Sequence, residues 1–185
     1  DAVKGNTTSG AQKDVTIDGN IHGLIGIREF IDSEKRECAY YIHYEDGQGH
    51  IIHNDNGSVF EYFEDDNKGR TIKNLYLDSN KLPLSDIDGD YGLSYEYDDE
   101  RQLTIITCLD ENEQPHNNQL GYGIIHSYKN EEGKEIKRMY YSIEGNPITM
   151  SSLLGCYGLS YEYPSENNKI VGYLNENGEI TTNIH

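Results

Sequence analysis

From about residue 22 onward, apolar and polar positions alternate with a period of two. In Tyr91–Tyr97, the residues Tyr91, Leu93, Tyr95 and Tyr97 fall on one side of that period, and Gly92, Ser94 and Glu96 on the other. The same heptapeptide, YGLSYEY, returns at Tyr157–Tyr163 with the same alternation. A period of two is the mark of a strand with unlike faces. No stretch keeps an apolar period of 3.6 through three turns, and Gly and Pro recur too often for long helices. The pattern predicts an all-β chain.

A longer period lies over the short one. Tyr44, Tyr76, Cys108, Tyr140 and Tyr173 are separated by 32, 32, 32 and 33 residues. Seven residues after each come Ile51, Pro83, Pro115, Pro147 and Ile180, which places three of the four prolines on one lattice. Such a period is the signature of a repeat architecture. Each unit reads as a strand led by Gly, a polar turn, a second strand ending at the lattice residue, and a loop rich in Asp, Asn, Gly and Pro. Two short β-rich runs joined by a turn of about four residues form a β-hairpin. The expected fold is a tandem array of about five hairpin repeats of roughly 32 residues, over 15–185, as a solenoid-like stack or a single curved antiparallel sheet. The units are about 22–53, 54–87, 88–118, 119–153 and 154–185. Both an open stack and a closed ring satisfy the pattern.

Composition adds a reason for the tyrosines. Aromatics are 10% of the chain, with 16 Tyr, 3 Phe and no Trp, and the hydrophobic fraction is 35%. A thin array has little interior. A Tyr can bury its ring while its hydroxyl stays wet, so rows of Tyr stand in for a thick core. Lys plus Arg is 15 against 33 Asp plus Glu, a formal charge of −18. That balance opposes binding to nucleic acid, whose phosphates need a basic face, and to anionic membranes and strongly acidic glycans. No apolar run approaches the roughly 18 residues of a membrane span, so no membrane insertion is expected.

The first 14 residues, DAVKGNTTSGAQKD, are polar and aperiodic and read as a flexible leader without the apolar core of a signal peptide. The Asn6 and Asn56 sequons matter only in a glycosylating, secreting source. Cys38, Cys108 and Cys156 have neither CxxC nor metal spacing and read as buried thiols. The sharper possibility is a Cys nucleophile with His126 or His116 as base.

The segment YEYPSENNKIVGYLNENGEITT, Tyr161 to Thr182, resembles a YD (RHS-type) repeat: an aromatic pair, a polar turn, an apolar strand, and a second acidic turn with Gly. The chain looks like the tandem Tyr/Gly hairpin repeats of bacterial surface and secreted proteins. The Asp that follows Tyr in that family stands at Asp98 and is replaced by Pro164 in the last copy. The resemblance implies an extracellular β-repeat scaffold, secreted or at the cell surface, and carries no catalytic residue.

Candidate chemistry is sparse. Tyr95, Tyr97, Tyr128, Tyr161 and Tyr163 could form a platform for sugar rings, with nearby Asp and Asn fixing hydroxyls. The plainer reading is a packing ladder between units. His126 stands where YGIIHSY (Tyr122–Tyr128) aligns with Tyr95 and Tyr161, so it breaks the period and joins the ligand-binding candidates. His43, His50 and His53 flank a Gly-rich turn, where His50 and His53 with Asp46 or Asp55 could take zinc. Positions 50 and 53 of a strand, however, face opposite sides. Asp86, Asp88 and Asp90 invite calcium but miss an EF-type loop, since positions six and twelve counted from Asp86 are Tyr91 and Tyr97. A solvated acidic loop is the plainer reading, and no cofactor is expected. No GxSxG, HExxH, Walker or dinucleotide motif occurs.

The sequence therefore points to a non-catalytic extracellular binding or adhesion module, with a glycan or a cell-surface protein as partner. A structural spacer of a larger secreted protein is the first alternative. An enzyme with an undisclosed His/Cys or carboxylate site is the second.

Overall fold

The computed structural model describes the backbone of residues 18–21 and 24–30, and residues 39–46, 48–165 and 168–181. The leader 1–14, the Asn6 sequon and Cys38 lie outside the described residues. The fold is all-β. Its strands are β1 (Asp18–Ile21), β2 (Leu24–Phe30), β3 (Ala39–Glu45), β4 (Ile51–Ile52), β5 (Phe60–Asp65), β6 (Thr71–Leu77), β7 (Gly92–Asp98), β8 (Leu103–Leu109), β9 (Ile124–Lys129), β10 (Glu135–Tyr141), β11 (Gly158–Ser165) and β12 (Asn168–Leu174). They form one open antiparallel sheet in chain order, with β4 pairing only β3. The helical content among the described residues is one 3-10 turn, Ser151–Leu153, and no helix there is long and apolar enough to cross a membrane.

One turn recurs through the connections, although the β7–β8 link at Asp98–Gln102 does not use it. In the example at Asp78, the Asp78 N–H donates to the Leu82 carbonyl (2.9 Å) and the Lys81 N–H to the Asp78 carbonyl (3.0 Å). The Asp78 carboxylate accepts the N–H groups of Asn80 and Leu82, at 2.7 and 2.9 Å. The same two backbone bonds recur from Asp46, Asp66, Asp110, Asn130, Ser142 and Asn175. Asp and Asn suit the first position because the side chain satisfies backbone donors two and four residues on. The fourth position has positive φ, and Gly fills it at 49, 69, 133, 145 and 178. Beyond these turns come bridges: Glu45↔Ile51, Leu77↔Pro83, Leu109↔Pro115, Tyr141↔Pro147 and Leu174↔Ile180. Proline is tolerated there because a single bridge needs no continuous ladder.

The ladder fixes the faces. Leu93, Tyr95 and Tyr97 of β7 stand opposite Cys108, Ile106 and Thr104 of β8. On that face, Ile106 and Thr104 stand opposite Ile125 and Ser127 of β9. We call it the ladder face. The other carries Ser94, Ile105, His126 and Tyr128. Toward β3, this second face carries Tyr41, Tyr62, Leu75 and Lys73. Val59, Phe60 and Leu77 are buried together, with Tyr41, Tyr62 and Leu75 packed against them.

The register corrects one alignment. The Tyr76 N–H donates to the Tyr91 carbonyl, and the Cys108 N–H to the Gly123 carbonyl. Gly123, not Tyr122, therefore occupies the place of Tyr91. His126 then stands where Ser94 does, not where Tyr95 does, and Tyr128 stands where Glu96 does. A slip of one residue moves a side chain to the opposite face. Tyr128 and His126 consequently do not share a face with Tyr95 and Tyr97.

Candidate functional site: an aromatic and acidic cleft

The sequence-derived tyrosines serve the sheet. The Tyr97 hydroxyl donates to the Thr71 carbonyl (2.6 Å), and the Tyr163 hydroxyl to the Glu135 carbonyl (2.7 Å). The Arg70 guanidinium lies 4.2 Å from the Tyr97 ring centre, and Lys134 lies 5.6 Å from that of Tyr163. The two heptapeptides thus have like environments. Burial pushes the Tyr95 hydroxyl up to about 12. Tyr161 is buried, with the Lys169 ammonium 3.8 Å from its ring centre. On the other face, His126 packs on Tyr141 at 4.6 Å and Tyr128 at 6.4 Å between ring centres, and burial lowers its pKa. The six candidates form no single platform.

The other candidates fall into separate local arrangements. His43 bonds Glu45 at 3.1 Å, His50 bonds Asp46 at 3.0 Å, and His53 donates to the Gly57 carbonyl at 3.2 Å. The Asp86 carboxylate accepts the N–H groups of Asp88 and Asp90 at 2.9 Å. Among the described residues, no three His, Cys, Asp or Glu gather to hold a metal ion. Asp90 turns inward and is buried. One of its oxygens meets His116 Nε2 at 3.1 Å, and the other accepts from Asn118 at 3.0 Å and from the Cys108 thiol at 3.4 Å. Burial and the neighbouring Asp90 carboxylate both push the Cys108 thiol up. His116 therefore shares Asp90 with Cys108 instead of facing the sulfur, and the thiol stays protonated. Burial raises the Asp90 pKa against the opposing bonds from Asn118 and Cys108.

A cleft of about 330 Å³ opens on the second face, beside the ladder's opposite side. Its floor comes from Tyr41 of β3, Tyr62 and Glu64 of β5, and Leu75 and Leu77 of β6. Its walls come from Lys81 and Pro83 on one side, and Asp110, Glu111 and Glu113 on the other. The Tyr41 and Tyr62 ring centres are 5.6 Å apart. The Tyr62 hydroxyl donates to the Glu64 carboxylate, and burial followed by that bond pushes its pKa up. Lys73 reaches Glu113 at 2.9 Å and Glu64 at 3.8 Å, so its pKa is raised, chiefly by the Glu113 bond. The Lys81 ammonium sits 4.1 Å from the Tyr41 ring centre and 5.0 Å from that of Phe60.

Both walls rest on the same departure from the turn pattern. Lys81 and Glu113 hold the fourth turn position at φ 60, where the other turns place Gly. A side chain in that conformation costs about 1 kcal/mol. Each non-glycine side chain reaches back 40 residues, Lys81 to Tyr41 and Glu113 to Lys73. These contacts offset the strain and fold both turns over the sheet. The sequence signal was the replacement of Gly within D-x-x-G by Lys in DSNK and by Glu in DENE. Chemically, the cleft offers two ring faces, carboxylates that accept hydrogen bonds, and ammonium groups that donate them. In comparisons with known proteins, no family model matches the chain, and no curated protein matches it.

Proposed function

We propose that the protein is a non-catalytic binding module of a secreted or surface protein, built from tandem hairpin repeats of about 32 residues, and that it takes a glycan in the cleft at Tyr41 and Tyr62. The observation that carries this reading is the conjunction of two tilted tyrosine rings and a rim of carboxylates in one open cleft, since aromatic faces pack against sugar C–H groups and carboxylates fix hydroxyls. The repeat reading is supported by the bridges and turns recurring at intervals of 32 or 33 residues. The protonated, enclosed Cys108 favours a non-catalytic role over a thiol nucleophile. The test is a glycan array followed by calorimetry. Tyr62→Ala should weaken binding by about tenfold or more, the usual loss for an aromatic anchor, while cooperative unfolding persists. Unchanged affinity in that variant would remove the cleft from consideration.

A second reading, a structural spacer, is favoured by the Tyr97 and Tyr163 hydroxyls, which are spent on backbone carbonyls. It expects no glycan hit, and loss of stability from every substitution in the tyrosine rows.

A further inference from the structure

The charges of the cleft indicate which glycan it would take. Four carboxylates, from Glu64, Asp110, Glu111 and Glu113, meet two ammonium groups, from Lys73 and Lys81. The local excess is 4 − 2 = 2 negative charges, within a chain of net charge −18. Such a field draws cations in and turns anions away. The carboxylates are not equally committed. Glu64 and Glu113 share Lys73, and one oxygen of Asp110 accepts the N–H groups of its own turn. Glu111 stands exposed at the rim. A second observation is independent of the carboxylates. The Lys81 ammonium already occupies the rings of Tyr41 and Phe60 by cation–π attraction, so Tyr62, which also lines the cleft, is the ring offered to a sugar.

We propose that the ligand of this cleft is a glycan with free amino groups, a glucosamine-type oligosaccharide. Its ring would stack on Tyr62, and a protonated amine would pair with Glu111. The proposal rests on the glycan-binding reading above and adds the charge of the sugar. A neutral sugar would leave the excess carboxylate charge unmatched. A uronic or sulfated sugar would be repelled by it.

The experiment is calorimetry of the full chain with three short oligosaccharides at mildly acidic pH: chitosan, its fully N-acetylated counterpart, and a cello-oligosaccharide. The free-amine ligand should bind about tenfold tighter than either neutral one, the effect of one charge-assisted hydrogen bond. That preference should shrink as salt is added. Glu111→Gln should abolish it without moving the melting temperature. Equal affinity for all three ligands would overturn the amine preference and leave the glycan reading standing. No binding by any of them would overturn both. Spermidine binding as tightly as the chitosan oligosaccharide would overturn the sugar and leave only a cation site.

Discussion

The two copies of YGLSYEY and the two turns that wall the cleft use the repeat in opposite ways. Where the pattern is kept, in β7 and β11, the last tyrosine of each copy meets a matching partner. Tyr97 and Tyr163 donate to carbonyls of the preceding hairpin, and Gly92 and Gly158 let the neighbouring strands close up. Where the pattern is broken, at Lys81 and Glu113, a left-handed residue that should be Gly bears a long charged side chain and reaches across the second face. The matching residues therefore serve the packing of neighbouring strands, and the two departures raise charged side chains over the second face. Backbone strain retained at such a departure is the place at which a functional hypothesis is first sought.

The glycines of the two heptapeptides should show the largest effect. A Cβ on Gly92 would lie 2.3 Å from the Asn74 carbonyl oxygen, and one on Gly158 would lie 2.2 Å from that of Arg138. Both obstacles are backbone. Gly92→Ala and Gly158→Ala should each cost about 3 kcal/mol, the upper range for overpacking, by urea denaturation. Unequal losses would show that the two copies are not in like environments. A smaller effect is expected one step along the same strands. Tyr97→Phe and Tyr163→Phe should each cost about 1 kcal/mol, the net worth of one hydrogen bond.

The broken turns should respond differently. Gly69→Ala, at φ 74 with open space around the new methyl, should cost about 1 kcal/mol through backbone strain alone. Lys81→Gly removes a comparable strain but also the contact with Tyr41, worth roughly 0.5–1 kcal/mol at such a site. Its melting temperature should therefore stay near that of the parent, while ligand affinity changes. A clear gain in stability would mean that the Lys81 contact contributes nothing.

The smallest effect is on pH dependence, where only a direction is expected. Burial raises the Asp90 pKa in the folded state, so the native protein holds this proton to higher pH than the unfolded chain does. Stability from this group is complete below the unfolded carboxyl pKa and is lost as pH rises through the raised folded value. Asp86 adds to the shift, and Asn118, Cys108 and His116 oppose it. Asp90→Asn should flatten that part of the profile of melting temperature against pH, leaving the Asp66 and Asp99 contributions, whose pKa values are lowered, in place.

Strands were readable wherever alternation met a turn signal. Thr71–Leu77, Leu103–Leu109 and Glu135–Tyr141 each run one residue past the lattice positions Tyr76, Cys108 and Tyr140 at which the sequence ends the second strand. The single antiparallel sheet is one of the two forms the pattern allowed. The site was less readable, for two physical reasons. Aligning YGIIHSY on its tyrosines follows letters, whereas the ladder follows hydrogen bonds, and the mismatch of one residue reverses the faces of His126 and Tyr128. The cleft and the Asp90 cluster, in turn, are made by contacts between residues 18 to 40 apart, a distance set by how turns fold back over the sheet. What the chain did display was Lys81 and Glu113 in place of glycine.

The location of the ligand can be tested directly by following backbone amide resonances of the isotope-labelled protein during titration with a bound oligosaccharide. Shifts concentrated at Tyr41, Tyr62, Lys81 and Asp110–Glu113, with Tyr97 and Tyr163 unmoved, are the predicted result. Shifts concentrated along Tyr95, Tyr97, Tyr161 and Tyr163, with the cleft silent, would contradict it.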